Sequence, residues 1–359
     1  MARGAVFVRA GRQPRGEESR VRLSEEPVRR RTFRSILDSP SFSVIGRRVL
    51  QAIPVLWGVT FLTFTLLNLL PGSAAESLLG IGATKTEIAA LSKKLGLDQP
   101  FFVRYGEWLG HIVTGHFGAS LASGQAVSTI IDQRLPVTLE LIGFAFFLAL
   151  FFAIPVAVLA ARWPHGIVDR VTMVISMLGL SVPAFVVGLI LILIFAVHAG
   201  WFPAVGFTSL SQNVGQNLRS MVLPSVTLGF TLFATYSRVL RADILDQLSS
   251  EDYVVTAKAK GISPGRVLVR HALRNSLFGL LTLVGLNLGA LVGGTVLIEQ
   301  IFALPGIGQE LIQAISNRDI VVVQGIVVVL AVAVVFANLL TDLLYAVLDP
   351  RIRYGRPTS

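Results

Sequence analysis

Six stretches of this chain carry almost no charged residues, and each is long enough to cross a lipid bilayer. A transmembrane helix needs about 20 apolar residues to span the hydrocarbon layer. Intervals of roughly that length lie between successive charged residues along the chain. This pattern predicts an all-α integral membrane protein with six transmembrane helices. The predicted spans are residues 49–70, 137–161, 173–197, 220–240, 277–298 and 320–348.

The composition excludes most other classes of protein. Hydrophobic residues make up 53% of the 359 residues and charged residues only 14%, whereas soluble domains carry about 25% charge. The mean hydropathy is +0.70, so the polar surface is too small to cover a globule in water. The chain has no cysteine and five scattered histidines. We therefore expect no disulfide, no thiolate chemistry and no metal site in this chain.

The distribution of basic residues orients the six spans. If the N-terminus is cytoplasmic, the inner segments carry 24 of the 31 Lys and Arg residues and the outer segments carry 7, as the positive-inside rule requires. Both termini are then cytoplasmic, with a basic tail at 1–48 and a short tail at 349–359. Residues 71–136 form an extracytoplasmic loop and residues 241–274 a cytoplasmic one.

The 1–48 tail contains 12 arginines and no apolar run. It lacks the apolar core of a signal peptide and the apolar residues of a packed domain. We expect it to lie in solvent against anionic lipid headgroups, and we expect no nucleic acid partner.

Neutral polar residues inside the spans are candidates for lining a transport path. Pro183 removes a helix hydrogen bond and leaves a carbonyl free to face a cavity. Asn287 and Asn338 either line a polar tunnel or bond to each other between helices. The candidates are Ser176, Ser181, Pro183, Asn287, Gln324 and Asn338.

Two carboxylates, Glu140 and Asp342, lie within the predicted spans. Ionisable groups in a span are costly and are often functional. An ion-coupled secondary carrier, the alternative function, would need one of them near the membrane midplane. Each lies near an end of its span instead, where it can reach the interface or pair within the bundle, and this disfavours the carrier.

Gly285, Gly289 and Gly293 recur every four residues in the fifth span. Residues four apart share one face of a helix, and glycine allows another helix to approach closely. The stripe predicts a packing surface and does not require a ligand.

The chain has no sequence motif for converting energy. The dipeptide Gly-Lys does not occur, so a Walker A phosphate-binding loop is absent. The chain also lacks the GxSxG and HExxH patterns of hydrolases. An active pump would therefore need a second subunit.

Residues 252–262 in the predicted cytoplasmic loop have the spacing of a short amphipathic helix. Val255, Ala259 and Ile262 share one face, and Gly261 followed by Ser-Pro-Gly ends the helix. Small residues on its surface would let a groove of another protein come close. The alternative is a helix that rests on lipid headgroups.

This segment resembles the EAA loop of binding-protein-dependent ABC importers, in particular the dipeptide, oligopeptide and nickel permeases. Aligned on Gly261, the first glutamate of the EAA pattern is Val255 here, its second alanine is Ala257, and a later proline is Arg274. Other segments extend the resemblance over about 46–355. They are GRRVLQAIPVLWGV (46–59), LGLDQP (95–100), GHFGASL (115–121), RLPVTLEL (134–141), IEQIFALPGIGQELIQAISNRDIVVVQG (298–325) and NLLTDLLYAVLDPRIRYG (338–355).

The resemblance implies the permease fold of a type I ABC importer in the bacterial plasma membrane. The chain would form half of a path for short peptides, or for another small solute such as a nickel chelate, and would not be an enzyme on its own. It implies a second homologous permease, ATP-binding subunits that hold ATP and Mg, and an extracytoplasmic substrate-binding protein. The implied residues for coupling to the ATPase are Glu251, Asp252, Val255, Ala257, Lys258, Lys260, Gly261 and Ile262.

Overall fold

A computed structural model describes residues 40–69, 79, 82–94, 96 and 98–348. This part of the chain is helical, and its one β feature is an isolated bridge between Ala119 and Ala126. Most of the predicted 1–48 tail and all of the 349–359 tail lie outside the described residues. The all-α prediction is confirmed for the part that is described.

The helices are numbered here in chain order. The bounds are α1 Pro40–Leu69, α2 Lys85–Lys94, α3 Phe101–Val113, α4 Val127–Arg162, α5 Ile167–Ser181, α6 Ala184–His198, α7 Val214–Ser250, α8 Asp252–Ala259, α9 Pro264–Phe302, α10 Ile307–Ser316 and α11 Ile320–Leu348. The last part of α6, Ile192–His198, and a turn near the start of α9, Leu268–Ala272, are π-helical.

Within the described residues, five helices are long and apolar enough to cross a membrane, and the bent pair α5–α6 makes six. The five are α1, α4, α7, α9 and α11. The predicted third span at 173–197 is therefore broken: α5 and α6 meet at an angle of 110°. The break falls at Val182, which is extended (ψ 127°) because the ring of Pro183 disfavours a helical residue before it.

Four helices, α1, α4, α7 and α9, extend beyond the spans that the charge-free intervals predicted. The first begins at Pro40, before the predicted start at 49, and α4 begins ten residues before 137. The α7 helix has 37 residues and runs well beyond 220–240 at both ends. Charged residues mark where a helix leaves the hydrocarbon layer and do not end the helix itself.

The most buried span is α7, which packs against α4, α9 and α5. An alanine stripe on α4 allows close contact: Ala145, Ala149, Ala153 and Ala157 are all buried. A Cβ atom on Gly229 of α7 would lie 2.8 Å from the carbonyl oxygen of Ala145. Small side chains on both helices thus bring their backbones together.

The α9 and α11 helices also approach closely, through two of the three glycines in the predicted stripe. The hydroxyl of Thr341 donates a hydrogen bond of 2.9 Å to the carbonyl oxygen of Gly285. A Cβ atom on Gly289 would lie 3.2 Å from Oδ1 of Asn338. The space beyond Gly293 is open, so the stripe serves packing at its first two positions only.

Candidate functional site

The short helix α8 lies in the connection between α7 and α9, at what we call the α8 end of the bundle. Its C-terminus is a Schellman turn. The amide of Ile262 donates to the carbonyl oxygen of Ala257 at 3.2 Å, and Gly261 between them has a φ of +74°. Only glycine adopts this left-handed conformation without strain. Gly261 ends the helix, as its sequence pattern predicted.

One face of α8 packs on its own chain. Val254 and Ala257 are buried with Val267 of α9, and Tyr253 and Ile262 cover this cluster. The sequence placed Ala257 on a face open to a partner, and the structure corrects this. Residues three apart share one face of a helix. Ala257 therefore lies on the same face as Val254, which is buried.

The opposite face of α8 is open. Val255 is 62% exposed, and Asp252, Thr256 and Ala259 on the same side are exposed as well. Beyond the helix, Lys260 and Gly261 are exposed, while Glu251 and Ile262 are half-buried. Lys258 belongs to α8, and its side chain lies outside the described residues. We call Asp252, Val255, Thr256 and Ala259 the outer face of α8.

Side chains tie α8 to both neighbouring helices. The Tyr253 hydroxyl donates to the side-chain oxygen of Gln247 on α7, and the ring of Tyr253 lies 6.4 Å from that of His271 on α9. Asn275 of α9 donates to the same oxygen of Gln247 at 3.5 Å. These contacts join α8 to both α7 and α9.

The predicted path residues are spread over three helices and one break. Ser181 and Pro183 are exposed at the α5–α6 break, and Gln324 is buried in α11. Asn287 donates to the carbonyl oxygen of Leu283 in its own helix at 2.9 Å. Among the described residues, no hydrogen bond joins Asn287 to Asn338, so the interhelical bond weighed from sequence does not form here.

Ser176 has a structural partner. It is fully buried in α5, and its hydroxyl lies 3.2 Å from that of Ser237 in α7. The two helices touch nearby, since a Cβ atom on Gly179 would lie 2.7 Å from Cβ of Ala234. This serine pair joins two packed helices.

Both carboxylates considered for ion coupling are paired. Glu140 accepts a hydrogen bond of 2.6 Å from the amide of Asn217, which also donates to the carbonyl oxygen of Thr208. Asp342 lies 3.3 Å from Arg48, which joins α11 to α1. These contacts give each carboxylate a role in holding helices together.

A third carboxylate, Glu299, is fully buried at the C-terminal end of α9. One carboxylate oxygen, Oε1, accepts from the Thr138 hydroxyl at 2.6 Å, and the other, Oε2, accepts from the Gln309 amide at 2.9 Å. A Cβ atom on Gly306 would collide with this carboxylate. Sequence reasoning treated Glu299 as the edge of a span and missed its burial.

A signal for this site was present in the sequence. The helix α10 begins at Ile307 after Leu-Pro-Gly, and its N-cap Gly306 has no side chain to accept the first amides. Such a helix start needs an acceptor from elsewhere in the chain. The nearest carboxylate before this helix start is Glu299, seven residues before Gly306.

Further polar contacts secure the same region, which we call the α10 end of the bundle. Arg134 of α4 lies 3.0 Å from Glu310 of α10. Asp319 accepts from the Ser120 hydroxyl at 2.5 Å and from the Val322 amide at 3.2 Å, so it caps α11 and holds the segment before α4. The α10 end is thus a cross-linked layer.

An ion pair between a buried carboxylate and a half-buried arginine lies near the opposite end. The guanidinium of Arg241 on α7 binds both carboxylate oxygens of Asp169 on α5, with Nη2 at 2.7 Å from Oδ2. The His165 amide donates to the same carboxylate at 2.8 Å. Sequence reasoning used charges in this region only to mark the ends of spans and so missed the pair.

Comparison with known proteins agrees with this architecture. A family model described as "Binding-protein-dependent transport system inner membrane component" matches residues 153–354. A second model, described as the N-terminal part of such membrane components, matches residues 41–142. Together the two matches reach every described helix that is apolar enough to cross a membrane, and residues 143–152 of α4 lie between them.

Curated relatives match over most of their length. The chain is 40% identical over 310 residues to the probable peptide ABC transporter permease protein y4tP of Sinorhizobium fredii, which covers 86% of this chain and 99% of the relative. It is 39% identical over 313 residues to the oligopeptide transport system permease protein AppB of Bacillus subtilis, with 86% and 99% covered. The glutathione transport system permease protein GsiC of Salmonella typhi is 37% identical over 308 residues, with 86% and 98% covered.

The matched segments, the spanning helices and the organised α7–α9 connection agree with one another. One family model covers more than half of the chain, and the relatives are matched almost end to end. The chain therefore belongs to the family of binding-protein-dependent transport system inner membrane components.

Proposed function

We propose that this protein is one permease subunit of an ATP-driven importer of short peptides and forms half of the path through the membrane. The observation that carries the proposal is the outer face of α8, which is open although the helix is anchored to both α7 and α9. Relatives named as peptide, oligopeptide and glutathione permeases support the substrate class.

The proposed partners follow from the absence of a Walker A loop in the sequence and from the family to which the chain belongs. Without a Walker A loop it does not hold ATP by that mechanism, so ATP-binding subunits hold ATP and Mg. A second homologous permease completes the path, and an extracytoplasmic binding protein delivers the peptide and sets most of the specificity. The proposed location is the bacterial plasma membrane, with the α8 end in the cytoplasm, as the basic residues indicate.

In this proposal, α8 is the helix that docks on an ATP-binding subunit. Val255 supplies an apolar contact, Asp252 and Lys260 supply charge, and Gly261 leaves space at the end of the helix. Closure of the ATP-binding subunits moves α8. Because Tyr253 joins α8 to α7 and α9, both helices move with it, and the path switches between two arrangements.

The first experiment purifies the tagged chain from native membranes in a mild detergent, followed by an ATPase assay. We expect a second permease and a Walker-containing subunit in the eluate, with vanadate-sensitive ATP hydrolysis. Recovery of the chain alone in several mild detergents, with no ATPase activity, would contradict the proposal and favour the ion-coupled carrier.

A matched pair of variants locates the docking surface. Val255→Glu places a charge on the outer face of α8 and is expected to lose the ATP-binding subunit but keep the second permease. Gln313→Glu adds the same charge at an exposed position on α10 and is expected to keep both. Retention of the ATP-binding subunit by Val255→Glu would remove the outer face of α8 from the docking site.

A further inference from the structure

The helix α3, in the connection between the first two spanning helices, lies against α1. The Tyr105 hydroxyl is 3.0 Å from the Thr60 hydroxyl of α1. The ring of Tyr105 meets Phe61 edge to face at 5.4 Å, and Arg104 donates to the side chain of Asn68 at 2.7 Å. The sequence analysis predicted residues 71–136 as an outer loop, without this helix.

The contact between Tyr105 and Thr60 lies well inside α1, away from its C-terminal end. Thr60 is nine residues before Leu69, where α1 ends, which corresponds to about 14 Å along the helix. The apolar part of α1 runs from Arg48 to Leu69 and is about 33 Å long at 1.5 Å per residue, close to the thickness of the hydrocarbon layer. The Tyr105 hydroxyl therefore reaches the depth of the acyl chains, while the neighbouring Arg104 contacts Asn68, one residue before the end of α1.

The surface of α3 has three sectors. Phe101, Tyr105 and Trp108 form the sector against α1, where their rings pack with Phe64. Glu107 and His111 form an exposed polar sector.

The third sector is apolar and open. Phe102 and Val113 are 75% and 78% exposed. At 100° per residue, both fall within about 40° of Gly106 on the helix circumference. This exposed sector lies on the side of α3 away from Glu107.

The surroundings of α1 indicate what covers this sector. Within the described residues α1 packs mainly on α11 and is the least buried of the spanning helices. Leu62 and Leu66, at the same depth as α3, are 58% and 55% exposed. An apolar surface at hydrocarbon depth thus extends over α1 and α3 together.

We propose that α3 is an interfacial membrane helix whose Phe102–Val113 sector is inserted among the acyl chains of lipid in the leaflet at the α10 end. Its polar sector, with Glu107 and His111, faces water or headgroups, as in amphipathic helices that lie in the membrane surface. The aromatic rings beside α1 suit this interfacial position. The proposal requires only that α1 spans the membrane and holds for any transported solute.

The absence of cysteine in the chain permits a direct test. Single cysteines are introduced as Phe102→Cys, Val113→Cys and Glu107→Cys, and each is labelled with a nitroxide. The full chain, with the subunits that copurify, is reconstituted in lipid nanodiscs. Power-saturation EPR then measures collisions of each label with oxygen, which concentrates in lipid, and with a water-soluble nickel chelate.

The expected result is a reversal within one helix. Labels at 102 and 113 should collide mainly with oxygen, and the label at 107, the matched control, mainly with the nickel chelate. Nickel-dominated collisions at 102 and 113 would place the sector in water and overturn the proposal. Low collision rates with both reagents at 102 and 113 would show that another protein covers the sector, and this would also overturn it. The replaced Phe102 and Val113 side chains are exposed, so the substitutions remove little packing.

Discussion

The hydroxyl of Thr138 and the carboxylate of Glu299 are joined by a hydrogen bond of 2.6 Å in the buried layer at the α10 end. The same hydroxyl accepts from the amide of Ile307 at 2.9 Å. One small side chain on α4 thus connects the end of α9 to the start of α10. Both its proton and a lone pair are used in this link.

Thr138→Val should destabilise the protein more than a surface substitution would. Valine has nearly the shape of threonine, so packing is kept while the Ile307 amide and one oxygen of Glu299 lose a partner. An unsatisfied buried polar group costs about 1–3 kcal/mol. The measurement is thermal unfolding of the purified protein, with tryptophan fluorescence as the readout.

The matched control for this substitution is Thr138→Ser, which keeps the hydroxyl and removes only a methyl group. We expect an unfolding temperature nearer to that of the unmodified protein. Equal losses for serine and valine would assign the effect to packing and contradict a hydrogen-bonded link.

Gly285→Ala should weaken the contact between α9 and α11. The added Cβ atom would lie 2.9 Å from Oγ1 of Thr341 and closer still to its methyl group. Overpacking of this kind costs about 1–3 kcal/mol.

Gly293→Ala is the control in the same helix. The space there is open, and alanine favours helix by about 1 kcal/mol over glycine, so stability should stay the same or rise. Thermal unfolding of both variants checks the pair, and a lower unfolding temperature for Gly293→Ala than for Gly285→Ala would contradict the packing described for this stripe.

Arg241→Met should be strongly destabilising because it leaves the buried carboxylate of Asp169 without its cation. Breaking a buried ion pair costs about 3–5 kcal/mol, whereas replacing both partners by apolar residues is often tolerated. The double variant Asp169→Leu/Arg241→Met should therefore recover part of the lost stability. A double variant that unfolds at a lower temperature than Arg241→Met alone would show that the pair is not the cause.

Gly261→Glu should abolish coupled transport, since a bulky anion beside the outer face of α8 prevents docking. Gly261→Ala carries the same backbone strain, about 1–2 kcal/mol for a left-handed residue, without the anion. Gly261→Asn reduces the strain, because asparagine visits this conformation more readily.

Uptake and ATP hydrolysis are measured for all three Gly261 variants at matched membrane levels. We expect alanine and asparagine to retain most of the uptake and glutamate to lose it. If alanine fails as completely as glutamate, the turn itself is essential and the docking explanation is wrong.

The spanning helices could be predicted from the sequence because a long apolar run has few alternatives in a bilayer. For the break at Pro183, its position could be predicted from the sequence but its angle could not. Its missing amide signals a broken hydrogen bond, but the angle of 110° between α5 and α6 depends on how both halves pack on α7 and its neighbours.

The buried polar contacts could not be predicted by the same reasoning. Glu299 and Asp169 look like residues at the edge of the membrane, since their partners are distant in sequence: Thr138 is 161 residues away and Arg241 is 72 residues away. Hydropathy measures the cost of a charge alone. It does not register the hydrogen bonds that compensate for that cost.

The helical pattern of α8 was readable from the sequence, but the assignment of its faces was only partly correct. Val255 is open as expected, whereas Ala257 is turned towards Val267. Both faces carry small or apolar residues, so composition does not distinguish the one that packs on α9 from the one left open.

One helix lies between α8 and α10 in the chain. It is α9, which begins beside α8 at Pro264, ends beside α10 at Phe302 and is about 58 Å long at 1.5 Å per residue. In the proposed function, a rigid tilt of α9 by about 5° displaces one end relative to the other by about 5 Å, from the same rise per residue. Glu299, near the C-terminal end of α9, is hydrogen-bonded to α4 and α10. Such a tilt must therefore either move the cross-linked layer at the α10 end together with α9 or break these hydrogen bonds.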